Sequence, residues 1–169
     1  MKKLMSLVLS LSVAGLMASC GGGDDGPATT AATVGSSAQL SSFAGTFGGC
    51  FADGTKSEKE TLVFTPLTAD TFSVASSSNK YATAGCAGAV TGTSSETGTV
   101  SFNGTKTIGA ETVNKLTFSP TGKTPIKQVA LIKGSNPVTL TFGRGANDGG
   151  IVDSEGYPTT FESNSFTKQ

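Results

Sequence analysis

The chain has 169 residues, formally neutral with twelve basic and twelve acidic side chains, and contains no histidine and no tryptophan. One arginine, Arg144, and scattered lysines cannot neutralise a run of phosphates, which excludes a nucleic-acid partner. The lack of histidine removes the commonest general base and the commonest metal ligand, so no metal and no cofactor is expected.

The N-terminus begins with the basic pair Lys2-Lys3, and Leu4 to Met17 follows without a charge. This run is shorter than the roughly 20 residues a membrane-spanning helix needs. It fits the apolar core of an export signal. It runs into Leu16-Met17-Ala18-Ser19-Cys20, which resembles the bacterial lipobox, with Met17 where leucine is usual. The resemblance implies cleavage before Cys20, a diacylglycerol on its sulfur and acylation of the new amine. Gly21, where aspartate would retain such a protein in the inner membrane, implies an outer-membrane address. Residues 1–19 are therefore expected to be a signal peptide. Removing them leaves 150 residues, with twelve acids against ten bases, a net charge of −2.

Residues 20–42 are mostly Gly, Ala, Ser, Thr and Asp, with almost nothing to bury. Such a composition predicts a flexible tether with a reach of roughly 25 Å. A domain is expected over 43–169. Phe43, Gly45, Phe47, Gly49 and Phe51 repeat with period two, the signature of a strand. Leu62 and Phe64 form the next apolar face after a polar stretch over 56–61. Phe72 and Val74 follow a turn at 68–70. Val100 and Phe102 precede Asn103-Gly104, which reads as a hairpin turn. Leu116, Phe118 and Pro120 alternate before a turn over 119–123. Val129–Ile132 is a continuous apolar run, and Gly134-Ser135-Asn136-Pro137 turns the chain once more. Val138, Leu140 and Phe142 alternate, and 159–166 reads as a last strand.

About eight strand candidates and no helical periodicity predict an all-β domain. An antiparallel up-and-down barrel is expected, because the strands read as consecutive hairpins, with a sandwich as the second choice. With Cys20 committed to lipid, Cys50 and Cys86 remain as an even pair in an oxidising compartment. They are expected to form a disulfide closing a loop of about 37 residues.

Gly45-Thr46-Phe47 at the start of the first strand resembles the G-x-W that begins lipocalin-type barrels, with Phe in place of Trp. Small envelope lipoproteins show a similar layout, with a cysteine ending strand one and a second some 35 residues on. The resemblance implies a barrel with a late basic residue packed over the strand-one aromatic. Arg144 is the candidate, against the plainer reading of a solvated side chain. It also implies a carrier of a small hydrophobic ligand. Phe47, Phe51, Phe64, Phe72, Phe102, Phe118 and Phe142 either line such a cavity or fill the barrel, and filling is expected.

The glycine-rich stretch 143–150 has neither the helix nor the Gly-Lys-Ser/Thr of a phosphate loop. Asp148, Asp153 and Glu155 cluster there but miss EF-hand spacing. Glu58, Glu60, Glu96, Glu111 and Glu162 are dispersed along the sequence, and no histidine exists to activate a serine. A non-enzymatic structural or interaction module, tethered to the envelope by lipid, is the expectation. A lipocalin-like carrier is the alternative.

Overall fold

The computed structural model describes residues 40–169; the expected signal peptide and Cys20 lie outside the described residues. Eight strands close an antiparallel barrel, each pairing with the next and the last with the first. They are β1 (Gly45–Asp53), β2 (Lys56–Pro66), β3 (Thr71–Tyr81), β4 (Val90–Ile108), β5 (Glu111–Pro120), β6 (Ile126–Lys133), β7 (Thr139–Phe142) and β8 (Phe166–Lys168). This is the up-and-down barrel that consecutive hairpins predict.

The barrel is uneven. β2, β3 and β4 run 11, 11 and 19 residues, whereas β7 and β8 have four and three. β8 meets β1 only at Phe47↔Lys168 and Gly48↔Thr167. The long strands therefore project beyond the short ones at one end of the barrel.

Alternation decides which side chains point inward. Phe47, Phe64, Phe72, Val74, Val100, Phe102, Leu116, Leu140 and Phe166 form one buried cluster, joined by Leu40 and Phe43 from the turn ahead of β1. The packed region thus reaches back to Leu40, ahead of the expected boundary at 43. Phe43 and Leu40 are 0% and 4% exposed and cap one end of the barrel. Phe51, Phe118 and Phe142 pack against the same cluster from partly buried positions.

Between β7 and β8 the chain crosses the outside of the barrel. There Tyr157 and Phe161 pack on Val113, Val129 and Leu131, forming a second cluster. Val129 faces this outer layer while Ala130 faces the barrel interior, which explains the continuous apolar run in β6.

Two sequence expectations need correction. Asn103-Gly104 is not a hairpin turn; it lies inside β4 at a break in register between Phe102 and Thr105. A glycine at φ +88° serves a bulge as well as it serves a turn, and the chain reverses after Ile108, at Gly109. The last strand is Phe166–Lys168 rather than 159–166, where only Phe161 makes an isolated bridge, to Gly143.

Candidate functional site

The seven phenylalanines singled out in the sequence fall into two groups. Phe47, Phe64, Phe72 and Phe102 are at most 5% exposed, and Phe51, Phe118 and Phe142 lie at the rim of the same cluster. The rings meet one another. Phe43 stands edge-on to Phe102 at 4.8 Å and to Phe64 at 6.1 Å, and Phe72 meets Phe102 at 5.5 Å. Phe51 and Phe142 both contact Phe166, at 5.0 and 5.9 Å. Edge-to-face pairs at these distances add to the stabilisation from burial.

At the capped end, Lys168 Nζ lies 5.6 Å from the centroid of Phe47 and donates to the Ser42 carbonyl at 3.2 Å. The stem of Lys168 passes over Gly45, where a Cβ would stand 3.2 Å from Lys168 Cε. The basic residue over the strand-one aromatic is therefore Lys168. Arg144, the residue expected from sequence, donates instead to the Asp148 carbonyl at 2.9 Å from an exposed loop. Gly45 and Phe47 thus work as a unit, because the glycine leaves room for the cation to reach the ring.

The opposite end is lined by polar groups. The strand registers place Glu58 across from Lys80, Glu60 across from Ser78, and Ser76 across from Glu96. Continuing the alternation from Phe64 and Leu62 puts Glu60 and Glu58 on the inward face of β2. Continuing it from Phe72 and Val74 puts Ser76, Ser78 and Lys80 on the inward face of β3. Carboxylates that look dispersed in sequence therefore share one mouth. Ser78 donates to Glu58, and Lys123 bridges to Glu96. Burial pushes the Glu60 carboxyl up to about 7, with the charge of Glu58 adding to the effect. The strand periodicity that would have exposed this face is hidden in sequence, because serine and glutamate give no apolar contrast.

Outside the mouth, Cys50 and Cys86 form a disulfide that staples the β3–β4 connection onto β1, with Cα atoms 5.9 Å apart. Ser57, 2% exposed, fixes the same connection: its hydroxyl donates to the Thr83 carbonyl at 2.6 Å and accepts the Cys86 amide at 2.8 Å. An open groove of about 670 Å³ runs beside the disulfide, lined by Gly48, Lys59, Thr61, Ser165, Thr167 and Gln169 among others.

The acids of the crossover do not converge on a cation site. Asp153 pairs with Lys106 and accepts the amides of Glu155 and Tyr157 at 3.0 and 2.9 Å. The hydrogen bond from Lys106, followed by that from the Tyr157 amide, holds the Asp153 carboxyl below its usual range. Glu155 pairs with Lys115 at 3.0 Å, and this bond raises the Lys115 ammonium above its usual value. Lys115 and Lys127 each stand 5.3 Å from the Tyr157 ring. These contacts fasten the crossover to the barrel wall.

No protein-family model matches the chain, and neither does any curated protein or solved structure compared with it.

Proposed function

We propose that the chain is a non-enzymatic module of the bacterial envelope, held to the outer membrane by a lipid on Cys20. In this reading the barrel works through its surface. The observation that supports it best is the packing of Phe43, Phe47, Phe64, Phe72 and Phe102 against one another in the barrel interior. A carrier of a hydrophobic molecule needs that volume for its ligand. Polar groups at the mouth and along the outer groove leave hydrogen-bonding surfaces for a macromolecular partner. Fold alone does not assign an activity. The proposal therefore rests on the filled interior together with the lipobox-like sequence around Cys20.

The anchor is tested by growing producing cells with labelled palmitate. The wild-type chain should take up label and partition into detergent, and Cys20→Ala should lose both properties. An unlabelled wild-type chain would overturn the anchored reading.

A further inference from the structure

β4 is far longer than the strand that follows it. β3 pairs with β4 from Tyr81↔Val90 to Thr71↔Ser101, whereas β5 pairs with it only from Gly98 onward. Among the described residues, no strand pairs with the other side of 90–97. The Thr97 carbonyl accepts the Thr121 amide at 2.9 Å, so Thr97 directs its backbone toward that side. Backbone direction alternates along a strand. Thr91, Thr93 and Ser95 therefore direct N–H and C=O to the vacant edge, and their side chains are exposed on the outer face.

Natural edges are usually protected by proline, lysine, a bulge or a covering segment. Residues 91–95 contain no proline and no charge. The register shift on this stretch lies at its far end, at Lys80/Tyr81. The nearest charge, Glu96, sits on the inward face and is paired with Lys123. A hydroxyl contact between Thr97 and Thr121 at 3.3 Å marks where the free edge ends.

We propose that this edge pairs with the same edge of a second copy, antiparallel and centred on Thr93. The outward positions on either side of Thr93 both carry a hydroxyl, at Thr91 and at Ser95, so the edge can oppose itself in this register without a clash of charge. Thr91 would face Ser95, Gly92 would face Ser94, and Thr93 would face itself. Cross-strand hydroxyl pairs of this kind are favourable, and no like charges oppose each other in this register. The backbone groups of Thr91, Thr93 and Ser95 from each copy would supply about six ladder hydrogen bonds. The product is a two-fold dimer, the commonest closed assembly. Self-pairing of this edge requires neither a lipid anchor nor an empty barrel.

The test is analytical ultracentrifugation of the purified chain and two variants over a wide dilution series. The wild type should show a monomer–dimer equilibrium. Thr93→Lys and Thr93→Glu each set like-charged side chains opposite one another on Cα positions about 5.5 Å apart across the two-fold axis, and each should weaken the dimer by about tenfold or more. Mixing the two variants should restore a dimer. Position 93 is exposed and outward-facing, so both variants should keep the wild-type circular dichroism, and should match its melting point at dilutions where the wild type is monomeric. Thr93→Pro removes an N–H that β3 does not use, and should give a folded monomer. A wild type that stays monomeric at every concentration would overturn the proposal. So would variants that dimerise as tightly as wild type, or a mixture that stays monomeric.

Discussion

Lys168, in the last strand, places its ammonium 5.6 Å from the ring of Phe47, in the first strand. The contact closes the barrel at a thin seam, since β8 shares two residue pairs with β1 and two with β7. The same ammonium holds the Ser42 carbonyl, so it also fixes the turn that carries Phe43 into the core. Replacing Lys168 with alanine should cost about 1–2 kcal/mol, combining a cation–π contact with a hydrogen bond. Arg144→Ala, in an exposed loop, should stay within about 0.5 kcal/mol of wild type. Urea unfolding of the two variants checks both values, and equal costs would contradict the assignment.

Gly49, on the inward face of β1, has a role distinct from that of Gly45. A Cβ at Gly49 would stand 2.8 Å from Phe51 Cε1 and closer still to Cζ, so the Phe51 ring occupies the space a side chain would need. Gly49→Leu should therefore overpack the rim of the core and destabilise the fold by about 1–3 kcal/mol. A barrel with spare interior volume would accept the larger residue with no change in melting temperature.

Glu60 makes stability depend on pH. Its carboxyl ionises near 7 in the folded chain against an ordinary value of 4.5, so the folded state holds a proton that the unfolded chain has already released. The stability that Glu60 contributes should then be fully present below about 4.5, fall as pH rises toward 7 and be gone above it. Allowing for solvent screening at the half-open mouth, the loss should be on the order of 1–2 kcal/mol. Glu60→Gln should abolish this part of the slope in denaturation curves between pH 4 and 8. A variant that keeps the wild-type slope would move the effect to another group.

The disulfide closes its loop across a sequence separation of 36. Loop closure of this size is worth about 4 kcal/mol by chain entropy. The double variant Cys50→Ser, Cys86→Ser should lose most of that in urea unfolding. Ser57 should limit the structural damage, because its hydroxyl still binds Thr83 and the Cys86 backbone amide. A double variant as stable as wild type would show that the β3–β4 connection is already constrained without the bond.

The fold was legible wherever apolar residues mark an inward face. Phe47, Phe64, Phe72, Val100 and Phe102 announce their strands, and Cys50 and Cys86 pair as expected of the two cysteines of the domain. The projecting halves of β2, β3 and β4 were not legible. Their inward positions carry Glu58, Glu60, Ser76, Ser78 and Glu96, so period-two alternation has no hydrophobic contrast to reveal it. The free edge of β4 was hidden for the same reason. Lys168 left no local signal, since its partner Phe47 lies 121 residues earlier and only barrel closure brings them together. Asn103-Gly104 misled because a left-handed glycine serves a bulge and a turn equally.

The central claim is that the barrel is filled by its own aromatic side chains and works from its surface. Native mass spectrometry of the protein, purified gently from the cells that produce it, tests this most directly. The account predicts the mass of the chain with any covalent lipid and nothing more, unchanged after incubation with free fatty acids and hydrophobic dyes. A co-purifying small molecule that survives desolvation, displaced by those additives and lost in Phe47→Trp or Phe102→Trp, would contradict it and make the barrel a carrier.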